Sequence, residues 1–239
     1  MIVSQFGVES WMDQYEEGAK YNITDTCAKP LSLAELFSLA GEDRADFMER
    51  FFAREQTYGT IFGSEKVKKE ISRLYASISP EEILTEHGAT GGNQHIFFSL
   101  IRPGDRVIAF SPSYQQFYSA PEALGAEVTV LRLRRENGYL PDLDELSRVA
   151  ARGVRMICLN NPNNPTGSLI PADMMADIVT IARRAGAYLF CDEVYSGVSI
   201  DGASTPSVAD LYEKGIATGS MSKAFSLAGL RLGWLATHD

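Results

Sequence analysis

Cysteine is scarce in this chain: three in 239 residues, at positions 27, 158 and 191. They are odd in number and far apart, which excludes a disulfide framework and a thiolate metal cluster. Cys27, Cys158 and Cys191 read as reduced thiols of a cytoplasmic protein. Histidine is as rare. His87, His95 and His238 have no ligand spacing, so each reads as an ordinary polar or core residue and no metal site is expected. Long apolar runs are missing: nothing approaches the ~18 residues of a membrane-spanning helix. The N-terminus carries acidic residues where a signal peptide needs a basic start and an apolar stretch. Positive charge is in deficit, with 22 Lys and Arg against 31 Asp and Glu and a net charge of −9. That balance argues against nucleic acid as a partner and against a polybasic membrane patch. Repeats and low-complexity linkers are absent too.

What remains is an ordinary globular composition, 45% hydrophobic and 22% charged, enough for one sizeable core. Residues 1–80 read as mainly helical. Ser32 and Glu35 form a capping box ahead of an apolar-periodic stretch. Phe47, Phe51 and Phe52 recur at helical spacing, which predicts a core stripe. The segment 65–75 is a further amphipathic pattern whose lysine run predicts a solvated face. From about residue 83 the pattern changes. Apolar strand candidates at 106–110, 127–133, 154–160, 187–191, 215–220 and 230–236 alternate with helical patterns at 115–124, 142–151 and 171–185. Pro171 and Gly186 bracket the last of these. Such alternation predicts an α/β fold, three layers αβα, with a mostly parallel sheet.

The unusual residues fall where such sheets bind ligands, beyond the carboxyl ends of strands. The run Thr90-Gly91-Gly92-Asn93 opens an apolar helical stretch, where backbone amides could approach a phosphate; a tight turn is the plainer reading. Tyr114 follows the strand at 106–110 and could lay a ring against a flat heteroaromatic group, or be a turn aromatic. The run from Asn160 to Gly167 holds four Asn and two Pro, an expensive way to build a mere turn, and reads as functional. Asp192 ends an apolar strand. There a carboxylate needs a cationic partner such as a protonated ring nitrogen, unless it only caps a helix. Tyr195 lies three residues on. Lys223 sits in a small-residue turn with Ser220 before it and Arg231 after it. An amine so placed can form a Schiff base, and the hydroxyl and guanidinium can hold a phosphate.

Taken in order, TGGNQ, SPSY, NNPNNPTG, CDEVYSG and SMSKAFSLAGLRLGW resemble the class I/II aminotransferases, fold type I pyridoxal-phosphate enzymes. The stretch from Tyr58 to Gly63 is similar to that family's YGxxxG region. The resemblance implies residues 58–239 as the large, cofactor-binding domain, preceded by a helical segment at 1–57. It implies pyridoxal 5'-phosphate as cofactor, with Lys223 as the Schiff-base lysine and proton carrier and Asp192 on the pyridinium nitrogen. Asn164 and Tyr195 would bond the phenolic oxygen and Tyr114 would stack on the ring. The amides of Gly91, Gly92 and Asn93, with Ser220 and Arg231, would bind the phosphate, and Tyr58 would reach the phosphate of a neighbouring subunit in a homodimer. The expected reaction moves an amino group between an α-amino acid and a 2-oxo acid. Lyase or other side-chain chemistry on the same frame, or a catalytically incomplete cofactor-binding fragment, are the alternatives. Two departures stand out. The segment Asp25-Thr26-Cys27-Ala28-Lys29-Pro30 is not the family's glycine-rich pattern. The expected C-terminal small domain, with the arginine for the substrate carboxylate, is not in this chain.

Overall fold

The computed structural model describes residues 2–24 and 26–239, leaving Met1 and Asp25 outside the described residues. Seven strands form among those residues: β1 (Ile83–His87), β2 (Arg106–Ser111), β3 (Glu127–Arg132), β4 (Met156–Asn160), β5 (Tyr188–Asp192), β6 (Gly215–Ser220) and β7 (Leu232–Thr237). They make one sheet of order β1-β7-β6-β5-β4-β2-β3. Pairings from β3 through β6 are parallel, and β7 runs antiparallel to both β1 and β6. β1 therefore points the same way as β6. The carboxyl ends of β1, β2, β4, β5 and β6 share one edge, and β7 starts there.

The central strands read as unbroken apolar runs because both faces are covered. Val107, Ala109, Met156, Cys158, Phe190 and Ile216 point to one side, against Ile96 and Phe97 of α5 (Gly88–Leu100) and Phe117 of α6 (Gln116–Ala123). Their neighbours Ile108, Phe110, Ile157, Leu159, Leu189 and Ala217 point to the other. There they meet Ile71 of α4 (Glu65–Ser72), Leu146 of α7 (Leu143–Ala150), Ile178 of α8 (Ala172–Ala185) and Val208 of α9 (Val208–Leu211). This is the three-layer αβα arrangement the alternation predicts. α8 starts after Pro171 and ends at Gly186, whose φ of +66° suits a residue without Cβ.

The N-terminal region differs from expectation. α1 (Gly7–Tyr15), α2 (Leu33–Ala40) and α3 (Arg44–Phe52) form, with the Ser32–Glu35 capping box in place, yet none of the three buries a residue. The Phe47, Phe51 and Phe52 stripe is 39%, 54% and 77% exposed rather than core. Phe47 packs on Phe37 at 4.9 Å, so the aromatics cover one another without a sheet behind them. In the lysine run, Lys66 and Lys69 are exposed but Lys68 is buried, on the same helix as core residue Ile71. None of the helices among the described residues is long and apolar enough to cross a membrane.

Candidate active site

The shared strand edge gathers the polar residues. Asp192 is the last residue of β5 and is buried. No helix follows it directly. Its Oδ1 accepts from the Val194 amide at 3.1 Å and its Oδ2 from Asn93 Nδ2 at 3.0 Å. Burial pushes this carboxyl up to about 6, opposed by those two donors and by the Lys223 charge.

Lys223 lies just past β6 and is half-buried. Its Nζ donates to Thr26 Oγ1 at 3.1 Å and to Cys27 Sγ at 3.2 Å, and sits 5.8 Å from the Tyr195 ring centre. Tyr195 donates its hydroxyl to the same Thr26 oxygen at 3.0 Å. Burial alone lowers the amine's pKa. Tyr195 and Cys27 outweigh burial, and the net direction is upward. From sequence Thr26 and Cys27 stood out only as part of a departure from the family pattern, not as neighbours of Lys223. They lie 197 and 196 positions from Lys223, and only the folded chain brings the N-terminal segment to this edge. Asp25, beside them, is outside the described residues.

The glycine run is placed differently from expectation. α5 begins at Gly88, so Gly91, Gly92 and Asn93 lie beyond its first turn, where helical amides bond the preceding turn. The first-turn amides are those of Gly88, Ala89 and Thr90. The Gly88 amide donates to the Arg231 carbonyl at 2.9 Å, which leaves Ala89 and Thr90 to face an anion. Asn93 instead contributes its side chain, to Asp192. A sequence signal did exist: Gly88 is the first glycine after the strand, and its φ of +71° marks where the chain turns into the helix.

Arg231 meets this helix start. A Cβ on Gly88 would lie 2.3 Å from its Nη2. Arg231 itself has φ +51°, a costly conformation for a non-glycine residue. Its Nη1 donates to the Ala228 carbonyl at 2.9 Å and to Ser222 Oγ at 3.4 Å. Ser220, at the end of β6, is buried, and its Oγ accepts from the Ser222 amide at 3.2 Å. Two amides, two hydroxyls and a guanidinium thus converge on one spot, a donor set that fits a phosphate.

Tyr114 is half-buried and is braced edge-on by Phe117 at 5.8 Å and by Phe6 at 6.0 Å. Burial pushes its hydroxyl up to about 12. The Asn-rich loop divides its labour. Asn160 donates to the Asp192 carbonyl at 2.9 Å and accepts from the Asn164 amide at 2.6 Å. Asn161 accepts from the Ile170 amide at 2.8 Å, and Asn163 donates to the Pro112 carbonyl at 3.1 Å. Three of the four asparagines therefore hold the loop itself. Asn164 stands half-buried at the edge beyond β4, its amide tied down by Asn160. Tyr58 is fully exposed. Among the described residues, no group of three or more His, Cys, Asp or Glu side chains could hold a metal ion.

The fold and this edge define an α/β domain that carries an amine, a buried carboxylate and a guanidinium beside a helix start along one strand edge. The family model for aminotransferase class I and II matches residues 47–239, and the chain belongs to that family. It is similar to a pyridoxal-phosphate-dependent aminotransferase from Streptococcus suis 89-1591, with a TM-score of 0.95 and 43% identity over 99% of this chain and 63% of that one. It is 28% identical to an LL-diaminopimelate aminotransferase of Halothermothrix orenii, over 74% of this chain and 48% of the relative. It is 32% identical to an aspartate aminotransferase of Pyrococcus horikoshii, over 72% of this chain and 44% of that relative. The chain spans about half the length of the curated relatives it matches.

Proposed function

We propose that residues 58–239 are the cofactor-binding unit of a pyridoxal-phosphate-dependent aminotransferase that exchanges an amino group between an α-amino acid and a 2-oxo acid. The observation that carries the reading is the convergence of Lys223, buried Asp192 and the Ala89–Thr90–Ser220–Arg231 donor set on one strand edge. When bound, pyridoxal phosphate supplies an aldehyde that takes up the amino group and a ring that withdraws electrons. The chain's own residues do the rest. Asp192, held where burial raises the cost of its lone charge, would pair with the ring's N–H. Tyr195 and Asn164 would bond the phenolic oxygen, and Tyr114 would lie against the ring face. The Ala89 and Thr90 amides, Ser220 and Arg231 would hold the phosphate.

Lys223 would be the residue that takes up the cofactor's aldehyde, and its amine would then hold and move the proton at the substrate's α-carbon. Its amine is protonated at neutral pH in the cofactor-free chain, since its pKa is raised, so it must lose a proton before it acts as nucleophile or base. We also propose a cytoplasmic homodimer, which the family resemblance and the buried, unbridged Cys158 and Cys191 support. In that assembly the exposed Tyr58 would reach the neighbouring site.

The test is the visible absorbance of the purified protein loaded with pyridoxal phosphate, combined with amino transfer to a panel of 2-oxo acids. Lys223→Ala should abolish the band of the bound cofactor and reduce transfer by a factor of about 10² to 10⁴. A variant that keeps both would remove Lys223 from this role.

A further inference from the structure

Behind Asp192 lies a hydrogen-bond chain that the proposed chemistry does not use. Asn93 is 0% exposed, Thr218 is 0% and Gln116 is 3%. Asn93 Nδ2 donates to Asp192 Oδ2 at 3.0 Å and to Gln116 Oε1 at 3.1 Å. Asn93 Oδ1 accepts from Thr218 Oγ1 at 2.9 Å. Gln116 Nε2 donates to the Thr90 carbonyl at 3.0 Å, in the first turn of α5. The direction of this chain follows from its end group. An ionised carboxylate only accepts, so the amide nitrogen of Asn93 must face Asp192, and its oxygen must take the Thr218 proton. Both N–H bonds of the Asn93 amide are then used. Thr218 pairs with Asp192 across β5 and β6, which places its hydroxyl to hold the Asn93 oxygen once the carboxylate has set the amide's direction.

We infer that Asn93 is a positioning residue, held at its oxygen by Thr218, which aims the Asp192 carboxylate, stabilises its charge and ties it through Gln116 to the start of α5. The carboxylate and the first turn of α5 are thereby built as one unit. The inference deepens the proposed role of Asp192 and rests on that reading for its meaning. The network is buried and complete, and every donor and acceptor named has its partner, so a small change in it is felt at the carboxylate.

Other charged and titratable groups also act on Asp192. Lys223 lowers its pKa from the cofactor side. Tyr114, Glu193 and Cys191 are close enough to sense its charge. Of these, only Lys223 opposes burial, so with Asn93 gone the Val194 amide and Lys223 are left to hold the charge.

The experiment is a carboxyl-carbon NMR titration of the cofactor-free protein labelled at aspartate, with Asp192→Asn identifying the resonance. The wild-type midpoint is expected at about 6. Asn93→Ala should raise it by about one pH unit or more, because a donor to the charged form is lost. Thr218→Val, which keeps the side chain's shape, should raise it in the same direction, and Thr218→Ser should restore it. If Asn93→Ala does not fold, the Thr218 pair decides the matter. Midpoints unchanged in Asn93→Ala and Thr218→Val overturn the inference while leaving the Lys223 reading intact. A retained cofactor band in Lys223→Ala would sink that reading without touching this titration.

Discussion

Lys223 is held by two residues from the far N-terminal segment, Thr26 and Cys27, at 3.1 and 3.2 Å. A hydroxyl and a thiol therefore stand at this position, in the segment that departs from the family's glycine-rich pattern. At the same scale, Gly233 shows how tightly the anion cradle is built. A Cβ there would lie 2.3 Å from the carbonyl carbon of Gly88 and 2.6 Å from the Ala89 nitrogen. Those are backbone atoms and cannot swing aside. Gly233→Ala must push the first turn of α5 away from β7. It should destabilise the protein by about 1–3 kcal/mol in urea melts, as overpacking does. It should also weaken cofactor retention on dialysis more than Gly229→Ala, where a Cβ meets nothing within 4 Å.

At the scale of elements, the site rests on an aromatic brace running out of the core. Phe190 of β5 packs edge-on against Phe97 of α5 at 5.6 Å and Phe117 of α6 at 5.7 Å; Phe117 meets Tyr114, which meets Phe6. Each such pair contributes about 0.5–1.5 kcal/mol beyond its area. Phe190→Ala should cost about 3–5 kcal/mol by denaturant unfolding, because neighbours on two helices cannot both close the cavity. The six strands from residue 106 onward and the helices α6, α7 and α8 were legible from their periods, whereas the short α9 was not. The N-terminal helices were legible as helices but not as exposed ones. Amphipathic spacing shows that a face exists. It does not show whether the fold supplies anything to cover it, and α3 buries none of its residues, its Phe47 resting on Phe37.

The whole molecule carries a pH signature from two neighbouring carboxyls. Burial pushes Glu193 up to about 7 and Asp192 up to about 6, from ordinary values of 4.5 and 3.8. Glu193 is held by the Ser207 hydroxyl and the Val208 amide, which oppose but do not cancel that burial. Both groups bind protons more tightly folded than unfolded. Their contribution is thus most favourable below about pH 4 and declines as pH rises through the interval from about 4 to 7. Glu193→Gln, whose amide oxygen can keep both acceptor bonds, should flatten stability against pH between about 4.5 and 7 and gain on wild type at pH 8. Urea melts of both proteins at pH 5 and pH 8 measure it; equal slopes would contradict the assignment.

The chain's own order of residues determined the alternation of strand and helix, because periodicity is local and the apolar runs report burial on both sheet faces. It also determined which side chains stand at strand ends. Tertiary structure alone decided what those side chains meet. Asn93 reaches Asp192 across 99 positions, and Thr218 reaches Asn93 across 125. The antiparallel return of β7 brings Arg231 to the first turn of α5, and the packing of the N-terminal segment brings Thr26 to Lys223. Such contacts depend on strand order and register, which no local pattern carries, and they separate the amides that face an anion from those spent inside a helix.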